Sequence, residues 1–355
     1  MHRDPIENFS HHLQQLGFTE SANAKLTPLT GGVSSEIYLV EEGARRFVIK
    51  RALEKLKVEA DWYADISRND SEQAFIRYVA KFRPDAMPEI YRSDAVAGLF
   101  SMEFLDGFRN WKEDLLAGTL EPSLCRVAGE LLGEIHAHSW DPPTVACPLV
   151  SSSKVANAPA PKGHPHSESS LREHFDKLKN FDELRIDPYL RATAAKHPEL
   201  APQILAEATR LTKSQECLIH GDFSPKNILH KGDRLVALDC EVACYADAAF
   251  DLSFFLNHLC LKALYHSAKA DVFAQMLDAA RVGYRKQNPT YADAVEAKAA
   301  VLLPMLMLAR VDGKSPVEYL NATQQAKIRS FASERILKSD HHLEHILSAW
   351  LKAIR

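Results

Sequence analysis

Apolar residues first recur at helical spacing. Ile6, Phe9, Leu13 and Leu16 form one stripe, which predicts a helix over 4–17 with Asp4 as N-cap, Pro5 at its first position, Glu7 completing a capping box and Gly17 ending it. From 25 to 50 the period drops to two: Ile37, Leu39, Phe47 and Ile49 alternate with other residues around a Glu42-Gly43 turn. This predicts a β-hairpin preceded by one more strand, the loop Thr30-Gly31-Gly32-Val33-Ser34-Ser35 joining them. The charged stretch Leu53–Ser67 reads as helical. Asn69-Asp70 then opens a clearer helix, with Asp70 and Gln73 at capping-box spacing and Phe75, Ile76, Val79 and Phe82 as its inner stripe. Two short strands fit Glu89–Asp94 and Leu99–Phe104. From about Glu121 the pattern is mostly helical, with Val127, Leu131, Leu132 and Ile135 on one face and further helices running to about Lys213.

The chain of 355 residues exceeds what one hydrophobic core usually covers, so two lobes are expected. Its 46% apolar and 25% charged residues are those of a globular protein. A formal charge of −4 offers neither a nucleic-acid nor an anionic-membrane footprint. Met1–Pro5 lacks the apolar core of a secretory signal, and the longest apolar run, near Val301–Ala309, is too short to span a bilayer and contains Pro304. A cytoplasmic protein is expected. The six cysteines, Cys125, Cys147, Cys217, Cys240, Cys244 and Cys260, form no C-x-x-C pair and read as reduced, mostly buried thiols. Residues 141–170 are rich in proline and serine. Residues on both sides of them serve one site, so the segment reads as a long loop beside that site rather than as a linker.

The chemistry concentrates in His220-Gly221-Asp222-Phe223-Ser224-Pro225-Lys226-Asn227. It is flanked by apolar segments and followed by a Lys231-Gly232-Asp233 turn and a strand, Leu235–Leu238, that ends at Asp239. Phosphoryl transfer needs a carboxylate for the acceptor hydroxyl, oxygen ligands for Mg²⁺ and a cation for the phosphates. Asp222 and Asn227 stand at the Asp-to-Asn spacing of a kinase catalytic loop, with Asp239 following as a metal aspartate would. Each residue alone would pass for a turn cap, a loop amide or a strand end; the ordered set favours chemistry. Upstream, Lys50 ends the strand Phe47-Val48-Ile49. Glu72 shares the stripe of 75, 76, 79 and 82, so its carboxylate faces the core and needs a partner, for which Lys50 is the candidate. Gly31-Gly32 is a weak phosphate-loop signal, and no Walker A pattern occurs.

These residues resemble the aminoglycoside phosphotransferase/choline kinase-like family, through H-G-D-x-x-x-x-N at His220–Asn227, then Leu238-Asp239-Cys240-Glu241-Val242-Ala243 and Ala246-Asp247-Ala248-Ala249-Phe250-Asp251-Leu252. The resemblance covers nearly the whole chain and implies an α+β, bilobal protein-kinase-like fold. A small β-rich N-lobe would occupy 1–102, a hinge 103–107 and a larger, mostly helical C-lobe 108–355. It implies ATP and Mg²⁺ as cofactors, Asp222 as catalytic base, and Asn227 and Asp239 as metal ligands. Lys50 and Glu72 would be the small-lobe ion pair. Gly32, Ser34 and Ser35 would cover the phosphates, and the backbone of Glu103 and Leu105 would meet the adenine. Asp251 would buttress the catalytic loop, and Glu241 would make a structural salt bridge. Cys240 stands where the family usually has Trp, and Ala246 and Ala248 where it has Gly and Pro; none of these removes a catalytic atom.

The expected partner is a small hydroxyl compound: a sugar, amino alcohol, hydroxy-amino acid or aminoglycoside-like molecule. The alternative is a nucleotide-binding pseudokinase with a regulatory or scaffold role. Arg310, Asp312 and Lys314 form a polar break after an apolar helix and could meet a charged substrate group, although a capped helix end explains them as well. His136, His138, His164 and His166 read as non-ligands.

Overall fold

The computed structural model describes residues 5–29, 35–53, 68–141 and 168–355. The predicted cap at Asp4, the helix over most of 53–67, Gly32, Ser34, Cys147, His164, His166 and nearly all of the 141–170 loop lie outside them, as do the side chains of Ile6 and Glu7. Two compact units divide the chain: residues 1–109 with 229–241, and residues 110–228 with 242–355.

The first unit is built on a five-stranded antiparallel sheet in the order β1-β2-β3-β5-β4. Its strands are β1 (Lys25–Pro28), β2 (Ser35–Glu42), β3 (Arg45–Ala52), β4 (Ile90–Asp94) and β5 (Leu99–Glu103). Strand alternation sorts β3 between two faces. Phe47 and Ile49 join Phe9 and Leu13 of α1 (Pro5–Gln15), with Phe18, Val40 and Leu99, in one apolar cluster. Val48 packs with Phe100 and Met102 in another. Lys50 is two residues beyond Val48 and takes the Val48 side of the sheet. The second helix, α2, spans Arg68–Val79 and buries Glu72, Phe75, Ile76 and Val79 as the stripe predicted. The capping box expected from Asp70 to Gln73 does not form. The helix already runs from Arg68, and Gln73 Oε1 instead accepts from the Ser93 hydroxyl and from Arg77 Nη2 at 3.4 Å. A tertiary partner has outcompeted the local one.

A two-residue β6 (Arg109–Asn110) leads into the second unit, which is mostly helical. Its helices begin with α3 (Trp111–Ala117), α4 (Pro122–His138), α5 (Glu168–His174) and α6 (Leu178–Phe181). A widened, π-type stretch at Asp182–Arg191 follows, then α7 (Ala192–Lys196) and α8 (Ala201–Leu211). Pro188 lies inside the widened stretch, where a loosened turn tolerates its missing N–H. The second unit also holds a short antiparallel pair, β7 (Cys217–Ile219) with β10 (Cys244–Ala246); between them in sequence come β8 (Ile228–Lys231) and β9 (Arg234–Ala237), and residues 229–241 belong to the first unit. The remaining helices are α9 (Ala248–Tyr265), α10 (Ala270–Gln287), α11 (Ala292–Asp312), α12 (Ala322–Lys338) and α13 (Leu343–Ile354). Helices α4 and α10 approach backbone to backbone: a Cβ on Gly129 would stand 2.1 Å from the Ala280 carbonyl oxygen. The α+β class and the division into a β-rich and a mostly helical part agree with the sequence pattern. Cys125, Cys217, Cys240, Cys244 and Cys260 are buried free thiols. Among the described residues no helix is long and apolar enough to cross a membrane.

Candidate active site

In the first unit, strand alternation and the helix stripe deliver Lys50 and Glu72 to the same place. Lys50 is 1% exposed and Glu72 2%. Lys50 Nζ lies 2.8 Å from Glu72 Oε1, 2.6 Å from Oε2, and 2.7 Å from Asp239 Oδ1. Asp239 follows β9 with a φ of +60°, in the left-handed region that a non-glycine residue rarely occupies. Behind it, the buried Arg68 Nε donates to Glu241 Oε2 at 3.0 Å, the structural bridge expected for Glu241. Cys240 Sγ contacts the Glu72 carbonyl at 3.6 Å. Burial pulls the Lys50 ammonium down, but Asp239, Glu72 and Glu241 outweigh it and hold it above the usual lysine range. Burial pushes the Glu72 carboxyl up, with Lys50 pulling against it. Among the described residues, Lys50 and Arg68 thus meet the carboxylates of Glu72, Asp239 and Glu241. Carboxylate oxygens are hard donors of the kind that suit a divalent cation such as Mg²⁺.

In the second unit, β7 ends at Ile219 and the chain turns through His220-Gly221-Asp222. Asp251 (0% exposed), in the first turn of α9, accepts from the His220 N–H at 2.6 Å and the Gly221 N–H at 2.9 Å. That is the buttress expected of it. Gly221 has a φ of +76°, and a Cβ there would stand 2.9 Å from the Val242 carbonyl oxygen, so only glycine fits without strain. Asp222 is fixed through one oxygen. Its Oδ2 accepts from Asn227 Nδ2 at 2.8 Å and lies 3.1 Å from Arg185 Nη2. Among the described residues Oδ1 has no hydrogen-bond partner, and the side chain retains 15% exposure. Asn227 also donates to the Asp222 carbonyl at 3.1 Å, which leaves its amide oxygen as the atom able to ligate a cation. Arg185 is locked by Nε to the Gly221 carbonyl at 2.6 Å and Nη1 to the Leu184 carbonyl at 2.7 Å.

The structure therefore joins Lys50, Glu72 and Asp239 in one cluster and Asp222 and Asn227 in another. Ser35 opens β2 and is buried. The Glu103 amide is already engaged, donating to the Glu89 carbonyl at 2.8 Å, and Leu105 accepts from the Phe108 amide at 3.3 Å. Sequence reading missed Arg185, because it sits on the widened helix far upstream and no spacing rule ties it to Asp222. It also missed where His136 lies. This buried ring has Nδ1 3.0 Å from the Tyr284 hydroxyl and Nε2 3.6 Å from Asp251 Oδ2.

A small β-rich unit, a larger helical unit and a catalytic-type loop tied to an α9 aspartate define a protein-kinase-like fold. The Phosphotransferase enzyme family model (APH) matches residues 25–288, and the chain belongs to that family. A methylthioribose kinase from Bacillus pumilus (strain SAFR-032) is 26% identical over 266 residues, covering 71% of this chain and 64% of that relative. One from Bacillus mycoides (strain KBAB4) is 24% identical over 262 residues, covering 70% and 63%. The match thus spans a little under two thirds of those relatives' length. Among solved structures, the amicoumacin kinase hAmiN in complex with AMP-PNP, Ca²⁺ and Ami superposes with a TM-score of 0.52 at 14% identity, covering 96% of this chain and 98% of that one. Choline kinase from Cryptosporidium parvum Iowa II gives 0.50 at 14% identity, covering 98% and 99%. These two likenesses concern the fold.

Proposed function

We propose that the chain is an ATP- and Mg²⁺-dependent small-molecule kinase that transfers the γ-phosphate to an acceptor hydroxyl. The observation that carries this reading is the state of Asp222: one oxygen held by Asn227 and Arg185, the other without a partner among the described residues, in a loop clamped by Asp251. Such a carboxylate can orient a hydroxyl and take its proton as the bond to phosphorus forms. Asn227 and Asp239 would hold Mg²⁺, which when bound neutralises charge on the phosphate oxygens. Lys50, oriented by Glu72, would meet the phosphates nearer the nucleoside, with Gly32, Ser34 and Ser35 covering them. Since the Glu103 amide is occupied, an adenine contact there would fall to its carbonyl, with Leu105 supplying an amide. Sugars enter the acceptor class because the curated relatives are named methylthioribose kinases.

The test is thermal stabilisation by Mg·ATP together with ADP release across a panel of hydroxyl compounds. Asp222→Asn is expected to lose about 10²- to 10⁴-fold in turnover while keeping the Mg·ATP shift. Undiminished turnover in that variant would remove Asp222 from the mechanism. Nucleotide binding with no ADP release from any acceptor would favour the regulatory, pseudokinase alternative.

A further inference from the structure

Asp251, Phe255, His258 and Lys262 follow one another on α9 at spacings of four, three and four, and so share one face of the helix. The stripe starts at the catalytic-type loop. Asp251 holds the loop backbone, and the ring of Phe255 meets that of Phe223, the residue after Asp222, at 5.6 Å. It ends at Lys262, which is fully buried. Lys262 Nζ has only the His258 carbonyl at 3.5 Å and the face of Tyr319, 5.4 Å from the ring centroid. Among the described residues it makes no ion pair.

The groups around it repeat that deficit. Arg310 Nη1 donates to the Tyr189 hydroxyl at 3.2 Å, to Ser315 Oγ at 2.8 Å and to the Ser315 carbonyl; among the described residues it has no carboxylate partner, and its buried Nε makes no hydrogen bond. The Tyr319 hydroxyl is buried without a partner. The acid whose charge reaches Lys262, Glu318, is already bound to Lys112 at 2.6 Å. Burial, then Lys112 and Arg310, pull Lys262 down to about 7 against the opposing pull of Glu318. His258 is held well below the usual histidine range by burial and by the Lys262, Arg310, Lys112 and Lys226 charges. An ammonium with one long hydrogen bond, a guanidinium N–H and a phenol without acceptors among the described residues form a buried group of donors that the oxygens of an anion would satisfy.

We propose that the acceptor is an anionic hydroxy compound, whose carboxylate or phosphate is held by Lys262, Arg310 and Tyr319 while its hydroxyl is presented to Asp222. This rests on the kinase reading above and narrows its substrate class. It also separates Arg310 from its neighbours in the polar break, since Asp312 pairs with Arg329 at 2.8 Å and Lys314 with Asp187 at 2.7 Å.

The experiment uses matched acceptors: erythritol with erythronate, and ribose with ribonate and ribose 5-phosphate. Binding to the full chain is read by calorimetry without nucleotide, and ADP release is read with Mg·ATP. In the wild type at least one charged member should bind ten-fold or more tighter than its neutral counterpart, and the acid and phosphate arms tell carboxylate from phosphate. Lys262→Met, which keeps the length and removes the charge, and Arg310→Gln should each erase at least ten-fold of that preference. Equal binding of neutral and charged members, a preference that survives in both variants, or binding of inorganic phosphate alone overturns the inference. Loss of the wild-type Mg·ATP thermal shift would instead count against the kinase reading, since the calorimetric arm needs no nucleotide.

Discussion

Lys50 and Lys262 are buried to the same degree, 1% and 0% exposed, in different units of one chain. Lys50 has two carboxylates within 2.8 Å and is held above its ordinary range. Among the described residues Lys262 has none in ion-pair contact, and it falls to about 7. Desolvation works against the charge at both sites, so the number of acids delivered by neighbouring elements decides the outcome. Beside Lys50, α2 and the end of β9 each bring one acid. Beside Lys262, α9 brings a neutral histidine, the last turn of α11 a guanidinium, and the chain after it a phenol and an acid already taken. The first arrangement gives its lysine carboxylates from the protein itself; the second, among the described residues, does not.

The sharpest way to break this comparison is to remove each charge in turn. Lys50→Met leaves Glu72 and Asp239 without their shared cation, and a loss of about 3–5 kcal/mol is expected in the unfolding free energy from denaturant titration. Adding Glu72→Leu to that variant should recover part of the loss, because the stranded charge goes with it. Lys262→Met breaks no ion pair, so its stability should stay within about 1 kcal/mol of wild type or exceed it. Equal losses from the two substitutions would show that burial, rather than pairing, sets their energetics.

The effect confined to one lysine is a slope with pH. In the folded chain Lys262 releases its proton near 7, and in the unfolded chain near the ordinary lysine value of 10.5. Between these values the unfolded chain binds the extra proton, so raising the pH favours the folded state. Wild-type Tm should therefore rise relative to Lys262→Met from pH 7 towards pH 9, and the two curves should run parallel below pH 6. A constant difference across the whole range would mean that Lys262 stays charged in the fold.

Much of the site was legible in the sequence because its logic is periodic. Alternation in Phe47-Val48-Ile49-Lys50 assigns the lysine to a face, and the spacing of Glu72 from Phe75, Ile76 and Val79 turns its carboxylate inward. The His220–Asn227 loop declares itself by order and spacing, with Asn227 brought back onto Asp222 by a short 3₁₀ turn at Pro225–Asn227. The capping box at Asp70 failed for the opposite reason. It was a local rule, and Gln73 found a better partner on β4. Arg310, Asp312 and Lys314 looked alike as a run of charges, yet Arg310 meets Tyr189 and Ser315, Asp312 meets Arg329 and His197, and Lys314 meets Asp187.

The amino-acid order by itself determined which residues share a face, where the chain turns, and which loop carries the acid–amide pair. Backbone geometry repeats every two or 3.6 residues, so those features depend only on near neighbours. Only the tertiary structure decided which charges meet: Asp239 on Lys50, Arg185 on Asp222, and no acid on Lys262. Ion pairing operates over a few ångströms of space, and residues that close are separated in this chain by 189, 37 or 57 positions, as Lys50 is from Asp239, Arg185 from Asp222 and Lys262 from the ring of Tyr319.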